Sequence, residues 1–325
     1  MSHSQGDVHV LNTNPNHEPR VSVTYIGVNS LSSRIEALEE ASCDHGHKIT
    51  TLEDAVLWTP RLMCTSLWLD SDLMRHTVYP SNTEDYILTE SGKVSKWTDS
   101  NNSIGLSQDT ADDRPAYEHK CILDNAVVFD STDKLEVTPD SQPHSDASGE
   151  YLVVMVLKSV DKSDSDVFTV STASQDLAKI YVSNENISCK TNGGAVCDTP
   201  ASSEYSVLSF LQSSESLSIY EGGAIKSSVT HVTSDMGDIT KLALGSGAHS
   251  ASSFAIKELV FLNWSTCTGD RQSLEGYMAH KWGFEKDLFA EHPFKIGHPV
   301  KTKDQITCGY GGYGAGGYGW RYGCP

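Results

Sequence analysis

Between residues 31 and 56, apolar side chains recur at alternating gaps of four and three: Leu31, Ile35, Leu38, then Ile49, Leu52 and Val56. The same frame lands on Ser42 and His45, so the heptad continues through two polar core positions. A repeat averaging about 3.5 residues keeps one seam of a helix turned toward a partner helix, and the pattern predicts a short coiled coil over 31–57. Upstream, residues 1–20 are polar and aperiodic and predict no packed structure. Residues 20–28 (RVSVTYIGV) are rich in β-branched side chains and predict one strand, with Val21, Val23, Tyr25 and Ile26 as its body. A strand with no sheet of its own pairs with its copies or adds to the edge of another protein, so 1–30 is expected to be an attachment peptide. After Trp58-Thr59-Pro60 breaks the helical pattern, short strand-like runs take over. Strands are predicted at 65–70, 151–160, 167–172, 178–183, 205–212, 216–220, 224–230, 241–245 and 254–262, with Glu221-Gly222-Gly223 as a hairpin signal. Many strands and few helices predict an all-β, two-sheet sandwich over 58–297. One helix closes it, with Thr268 as its cap, Leu274, Met278 and Trp282 as its packing face, and Gly283 as its stop.

Placing Ile35 at heptad position a and Leu38 at d puts Arg34 at g and Glu39 at e. The run from Arg34 to Glu39 resembles the trimerisation motif of short coiled coils, in which the arginine bonds a neighbouring chain's glutamate. That resemblance implies a homotrimer joined through Leu31, Arg34, Ile35, Leu38, Glu39, His45, Ile49, Leu52 and Val56. Two other readings stay open. β-branched residues at a with leucine at d favour two strands, and an exposed ion pair worth about 0.2–1 kcal/mol biases the count without dictating it. Asp44-His45-Gly46-His47 is loop-like, and a glycine costs a helix interior about 1 kcal/mol, which favours two helices of an intramolecular hairpin. His45 at a core position fixes register, and three copies of it could also surround an ion.

Charge narrows the partners. The 325 residues carry 24 Lys and Arg against 43 Asp and Glu, a net charge of −19. Such a surface repels nucleic acid and anionic membrane, so neither is expected as a partner. No run of eighteen residues is apolar, and the first residues lack the basic and apolar regions of a secretory signal. Of the eight cysteines, Cys189 and Cys197 flank a Thr191-Asn192-Gly193-Gly194 turn, while Cys308 and Cys324 bracket the last segment. No zinc spacing occurs among them, and most are expected as free thiols. The sequons at Asn186 and Asn263 matter only in a secreted chain. Residues 309–320 are low-complexity Gly and Tyr, expected either as a flexible tail or as a tip whose Tyr310, Tyr313, Tyr318 and Trp320 touch a ligand.

The closing helix, Leu274-Glu275-Gly276-Tyr277-Met278-Ala279-His280-Lys281-Trp282-Gly283, and the segment after it, with Leu288 and Glu291-His292-Pro293-Phe294, resemble the end of concanavalin A-like (laminin-G-like) domains. In order along the chain, Ser66-Leu67-Trp68-Leu69-Asp70-Ser71-Asp72, Val94-Ser95-Lys96-Trp97-Thr98-Asp99, Arg114-Pro115-Ala116-Tyr117 and Val128-Phe129-Asp130-Ser131-Thr132-Asp133 resemble earlier parts of the same family. So do Leu242-Ala243-Leu244-Gly245 and the strand from Phe254 to Phe261, so that the resemblance spans about 62–297. It implies a jelly-roll sandwich of two antiparallel sheets, of a kind common in bacteriophage and bacterial surface proteins. It also implies that Trp68, Trp97, Trp264 and Trp282 pack inside and that Asp70 and Asp72 are structural.

No catalytic set emerges. Glycoside hydrolysis needs two carboxyl groups roughly 5–10 Å apart across the bond, and no strand offers the Glu-x-Asp-x-x-Glu arrangement. Gly-x-Ser-x-Gly, HExxH, phosphate-binding and dinucleotide fingerprints are all missing from the sequence. The chain is therefore expected not to be an enzyme and to need no cofactor. Asp99, Asn101, Asp130 and Asp133 offer calcium-type oxygens in loops without a recognisable ligand register. An attachment peptide, a coil, a sandwich and a Gly/Tyr end at 298–325 suit a homotrimeric bacteriophage fibre or spike located in the virion. Its expected partners are its own copies, other virion proteins and a host-surface glycan. A capsid decoration or joining protein, a polysaccharide depolymerase and a bacterial surface lectin are the alternatives.

Overall fold

Two strands in which nearly every residue is buried, not every second one, lie at the centre of the molecule. The computed structural model describes residues 58–63, 65–72, 87–88, 92–100, 104–119, 125–130, 132–137, 149–160, 164–230, 239–245 and 253–300. The predicted attachment peptide, the coil and the Gly/Tyr segment from 301 onward lie outside them. In chain order the strands are β1 (Leu67–Asp70), β2 (Ile87–Leu88), β3 (Val94–Thr98), β4 (Gly105–Ser107), β5 (Ala116–His119), β6 (Asn125–Phe129), β7 (Leu135–Val137), β8 (Tyr151–Ser159) and β9 (Ser165–Ser171). They continue with β10 (Asp176–Ser183), β11 (Asn186–Thr191), β12 (Val196–Pro200), β13 (Ser206–Gln212), β14 (Ser216–Glu221), β15 (Ala224–Thr230), β16 (Lys241–Leu244) and β17 (Phe254–Leu262). Helix α1 (Thr268–Trp282) comes next.

The protein is mostly β, with two antiparallel sheets. One runs β15-β14-β13-β8-β17-β6-β5, with β1 also paired to β17, and the other runs β12-β11-β10-β9-β16-β7-β4-β3-β2. Their facing sides share one core. Tyr151, Val153, Met155 and Phe261 enter it from the first sheet, and Trp97, Phe168, Val170 and Ile180 from the second. Phe168 meets Phe261 edge-on across it, with ring centroids 5.6 Å apart.

The outer face of the first sheet is covered as well. Leu152, Val154, Val156, Val260 and Leu262 pack with Leu274, Met278 and Trp282 of α1. A strand buried on both faces has no need of alternation, which is why β8 reads YLVVMVLKS and β17 reads FAIKELVFL. Within β17 the register against β8 shifts between Ile256 and Glu258. Phe254 and Ile256 face the shared core before this bulge, and Leu259 and Phe261 after it. The extra residue leaves Lys257 and Glu258 together beneath α1, because a bulge re-aims side chains that strict alternation would separate.

All nine strands predicted within 58–297 are present, each within two residues at either end. The structure adds the short strands β2 to β7, β11 and β12, which the pattern does not predict. Short strands such as NISCKT and VCDTP carry too few large apolar residues to stand out. The helix begins as predicted but its cap is different. Cys267, with extended backbone angles, is the N-cap, and its N–H donates to Asp270 Oδ2 at 3.0 Å, so Thr268 is already the first helical residue. Gly283 ends the helix with φ of 77°. Cys267 is disulfide-bonded, and because Cys189 and Cys197 are free its partner lies outside the described residues. Cys189 and Cys197 do stand opposite each other on β11 and β12, as buried thiols.

Candidate ligand-binding cleft

Three chain segments meet beside the C-terminal end of α1. The link into β13 supplies Ser202, Glu204 and Tyr205, the β14–β15 turn supplies Glu221 and Gly222, and the segment after the helix supplies Phe284, Lys286 and Asp287. Between them lies a cleft of about 560 Å³, within the range of roughly 300–1,000 Å³ usual for small-ligand sites.

The turn is fixed from both sides. Gly222 N–H donates to Val207 O at 2.9 Å, and Phe289 N–H donates to Gly222 O at 2.9 Å. Gly222 and Gly223 both have positive φ, 55° and 80°, so the hairpin signal read in Glu221-Gly222-Gly223 is realised as a turn only glycine adopts without strain. A side chain at Gly222 would also collide with the Asp287 carbonyl, so this glycine lets the turn and the post-helix segment touch. Lys226 Nζ lies 3.0 Å from Glu221 Oε2. Tyr205 is held from beneath, with Lys257 Nζ 4.6 Å and Lys158 Nζ 5.5 Å from its ring centroid. Lys257 also sits 4.9 Å from the Trp282 ring, coupling the cleft to the helix.

Two buried ionic groups hold α1 in place. Glu258, fully buried, accepts Trp68 Nε1 and Trp282 Nε1, each at 2.7 Å. Lys281 reaches both Glu258 at 3.0 Å and Asp70 at 2.5 Å. Burial pushes the Asp70 carboxyl up to about 7 against the opposing pull of Lys281. Burial pulls Lys281 down, but Asp70 and Glu258 outweigh it and hold its ammonium well above the ordinary value. Further along the helix, Glu275 accepts Arg271 at 2.6 and 2.8 Å and Ser209 Oγ at 2.7 Å, with His292 Nε2 at 3.2 Å. Arg271 stacks 3.8 Å from the Tyr220 ring centroid.

The sequence points to other residues. The coil set Leu31, Arg34, Ile35, Leu38, Glu39, His45, Ile49, Leu52 and Val56 lies outside the described residues. So do the attachment residues Val21, Val23, Tyr25 and Ile26, and the end residues Tyr310, Tyr313, Tyr318 and Trp320. Asn101 is outside as well. Asp99 is buried and accepts the Trp68 N–H, which is a structural task. Asp133 Oδ2 accepts Asp130 N–H at 2.9 Å, closing the turn after β6, and Lys93 lies 3.7 Å from its other oxygen. Among the described residues no group of three His, Cys, Asp or Glu side chains could hold a metal ion. Trp68, Trp97 and Trp282 are buried and Trp264 packs against the helix-side cluster. Asp70 pairs with Lys281, and Asp72 Oδ1 accepts Asn125 Nδ2 at 2.9 Å. Sequence reasoning misses the cleft itself. Its one legible trace is the glycine turn at 222–223, since nothing local ties Tyr205 to Phe284.

No protein-family model matches the chain, and no curated protein matches it. Among solved structures, the binding domain of botulinum neurotoxin DC in complex with rat synaptotagmin II is similar with TM-score 0.41 and 7% identity over 56% of this chain and 51% of that one. Trypanosoma rangeli sialidase in complex with sialic acid gives TM-score 0.45 and 12% identity over 64% of this chain and 32% of that one. The botulinum neurotoxin serotype G binding domain gives TM-score 0.45 and 6% identity over 66% and 51%. In each case the match spans about half the length of the similar chain or less.

Proposed function

We propose that this chain is a non-enzymatic glycan-binding protein, a concanavalin A-like jelly roll carried as a homotrimer on a bacteriophage fibre or spike. The cleft beside α1 is the observation that carries the binding half of this reading. It offers two aromatic rings, Tyr205 and Phe284, together with the hydroxyl of Ser202 and charged groups of both signs on Glu204, Glu221, Lys226, Lys286 and Asp287. A ring gives a sugar's C–H face an apolar surface while hydroxyls and charged groups satisfy its O–H groups, so this mixture suits a hydroxyl-rich ligand. The heptad of 31–56 supports the oligomer, and linkage of weak sites in one particle raises their joint avidity.

The test is binding of the full chain to an array of bacterial surface polysaccharides and oligosaccharides. Wild-type protein is expected to retain at least one glycan without shortening it, and Tyr205→Ala is expected to weaken that binding about tenfold or more with the fold intact by circular dichroism. Retention of purified capsids with no glycan bound would overturn the reading in favour of a decoration protein. Shortened polysaccharide chains would overturn it in favour of a depolymerase.

A further inference from the structure

We propose that Ile296 and Val300 form a contact between copies of this chain, beside Trp58. The proposal rests on the oligomeric reading above. Ile296 is 97% exposed and Val300 59%, the two most exposed large hydrophobic side chains among the described residues. Single exposed apolar residues are ordinary on a protein surface and mean little by themselves. Their setting is what distinguishes these two.

The segment that presents them is firmly held. Phe294 lies against Gly276 of α1, so closely that a Cβ there would come 2.6 Å from Phe294 Cβ. His280 Nε2 lies 2.8 Å from Phe294 O, and the His280 and His298 ring centroids are 4.3 Å apart with the planes tilted by 31°. Lys295 Nζ donates to Lys286 O at 2.5 Å and also to Leu288 O. Trp58 N–H then donates to Pro299 O at 3.0 Å, which ties Trp58 to the segment after α1.

Chain length supplies the partner. The predicted coil ends at Val56, and two Cα steps separate it from Trp58, at most about 7 Å. Helices in a coil lie about 8–10 Å apart, so coiled copies are obliged to bring their Trp58 residues within about 20–25 Å of one another. Each Trp58 brings its hydrogen-bonded Pro299, with Val300 next to it and Ile296 three residues away. Chains of net charge −19 repel over a broad lateral contact, which favours a small apolar contact near the axis as the place where copies touch.

The experiment uses the full chain. A photoreactive benzoylphenylalanine replaces Ile296 and, as a control, Ile225, which is 58% exposed on the edge strand β15. Irradiation is expected to join copies through position 296 and not through 225, and Ile296→Asp with Val300→Asp is expected to raise the dissociation constant of the oligomer at least tenfold by ultracentrifugation. If wild-type chains sediment as monomers, the oligomeric reading fails and this contact with it. If they sediment as oligomers that do not cross-link through 296 and are unmoved by the double substitution, the oligomer stands and the contact is overturned.

Discussion

At the scale of single residues, the interior is notable for its charges. Lys257, Glu258, Glu275 and Arg271 are buried beneath or within the closing helix, and each has a specific partner. Removing one member of such a pair leaves the other uncompensated, which is why these side chains fix the position of α1. Asp133 makes a sharper prediction. Burial pushes its carboxyl up to about 6 from an ordinary 3.8. Between those values the folded chain holds a proton that the unfolded chain has released. The unfolded state binds fewer protons there, so stability falls as pH rises through the window. Asp133→Asn cannot titrate and still accepts the Asp130 N–H. Urea unfolding at pH 4 and pH 7 is expected to show a smaller loss in the variant than in wild type, by an amount on the order of 1–3 kcal/mol. Equal losses in the two proteins would refute the assignment.

At the scale of elements, α1 and the segment after it act as one clamp on the outer face of the first sheet. Leu274, Met278 and Trp282 provide the apolar contact, while Gly276 admits Phe294 to the helix surface. Alanine is intrinsically the better helix former by about 1 kcal/mol, so on propensity alone Gly276→Ala would stabilise. Contact with Phe294 outweighs this, because the added methyl group needs space that the Phe294 side chain occupies. The variant is expected to unfold at lower urea, and hydrogen exchange at Trp58 N–H is expected to speed up as the segment bonded to it shifts. An unchanged or raised midpoint would show that Phe294 has somewhere else to go.

At the scale of the whole molecule, the prediction concerns copy number. Ile35→Asp with Leu38→Asp places charges in the predicted seam, at the positions that bury most in a coiled coil. Sedimentation velocity is expected to show a multi-chain species for wild type and a single chain for the variant. Binding to a glycan-coated surface is expected to fall by about a hundredfold or more while the affinity of each site in solution is unchanged. A wild-type chain that sediments alone would end the proposal of a displayed trimer.

Sequence by itself determined the long strands and the closing helix, because their signals are local. A run of seven apolar residues at 151–157, a four-residue repeat ending in Gly283, and two glycines in a row at 222–223 each specify backbone over a short span. It also placed the tryptophans inside through their resemblance to a known pattern. Tertiary structure decided the rest. The bulge after Ile256 that sends Lys257 and Glu258 to the same side arises from β17 pairing with β8, and no neighbour in sequence encodes it. His292 became the buried partner of Glu275, and Phe294 the occupant of the space at Gly276, only through packing of distant segments. The cleft is the clearest case: residues 202–207, 221–226 and 283–288 are strangers along the chain. Contact between them depends on how two sheets and a helix bury apolar surface together, a balance set by the whole core and written in no single stretch.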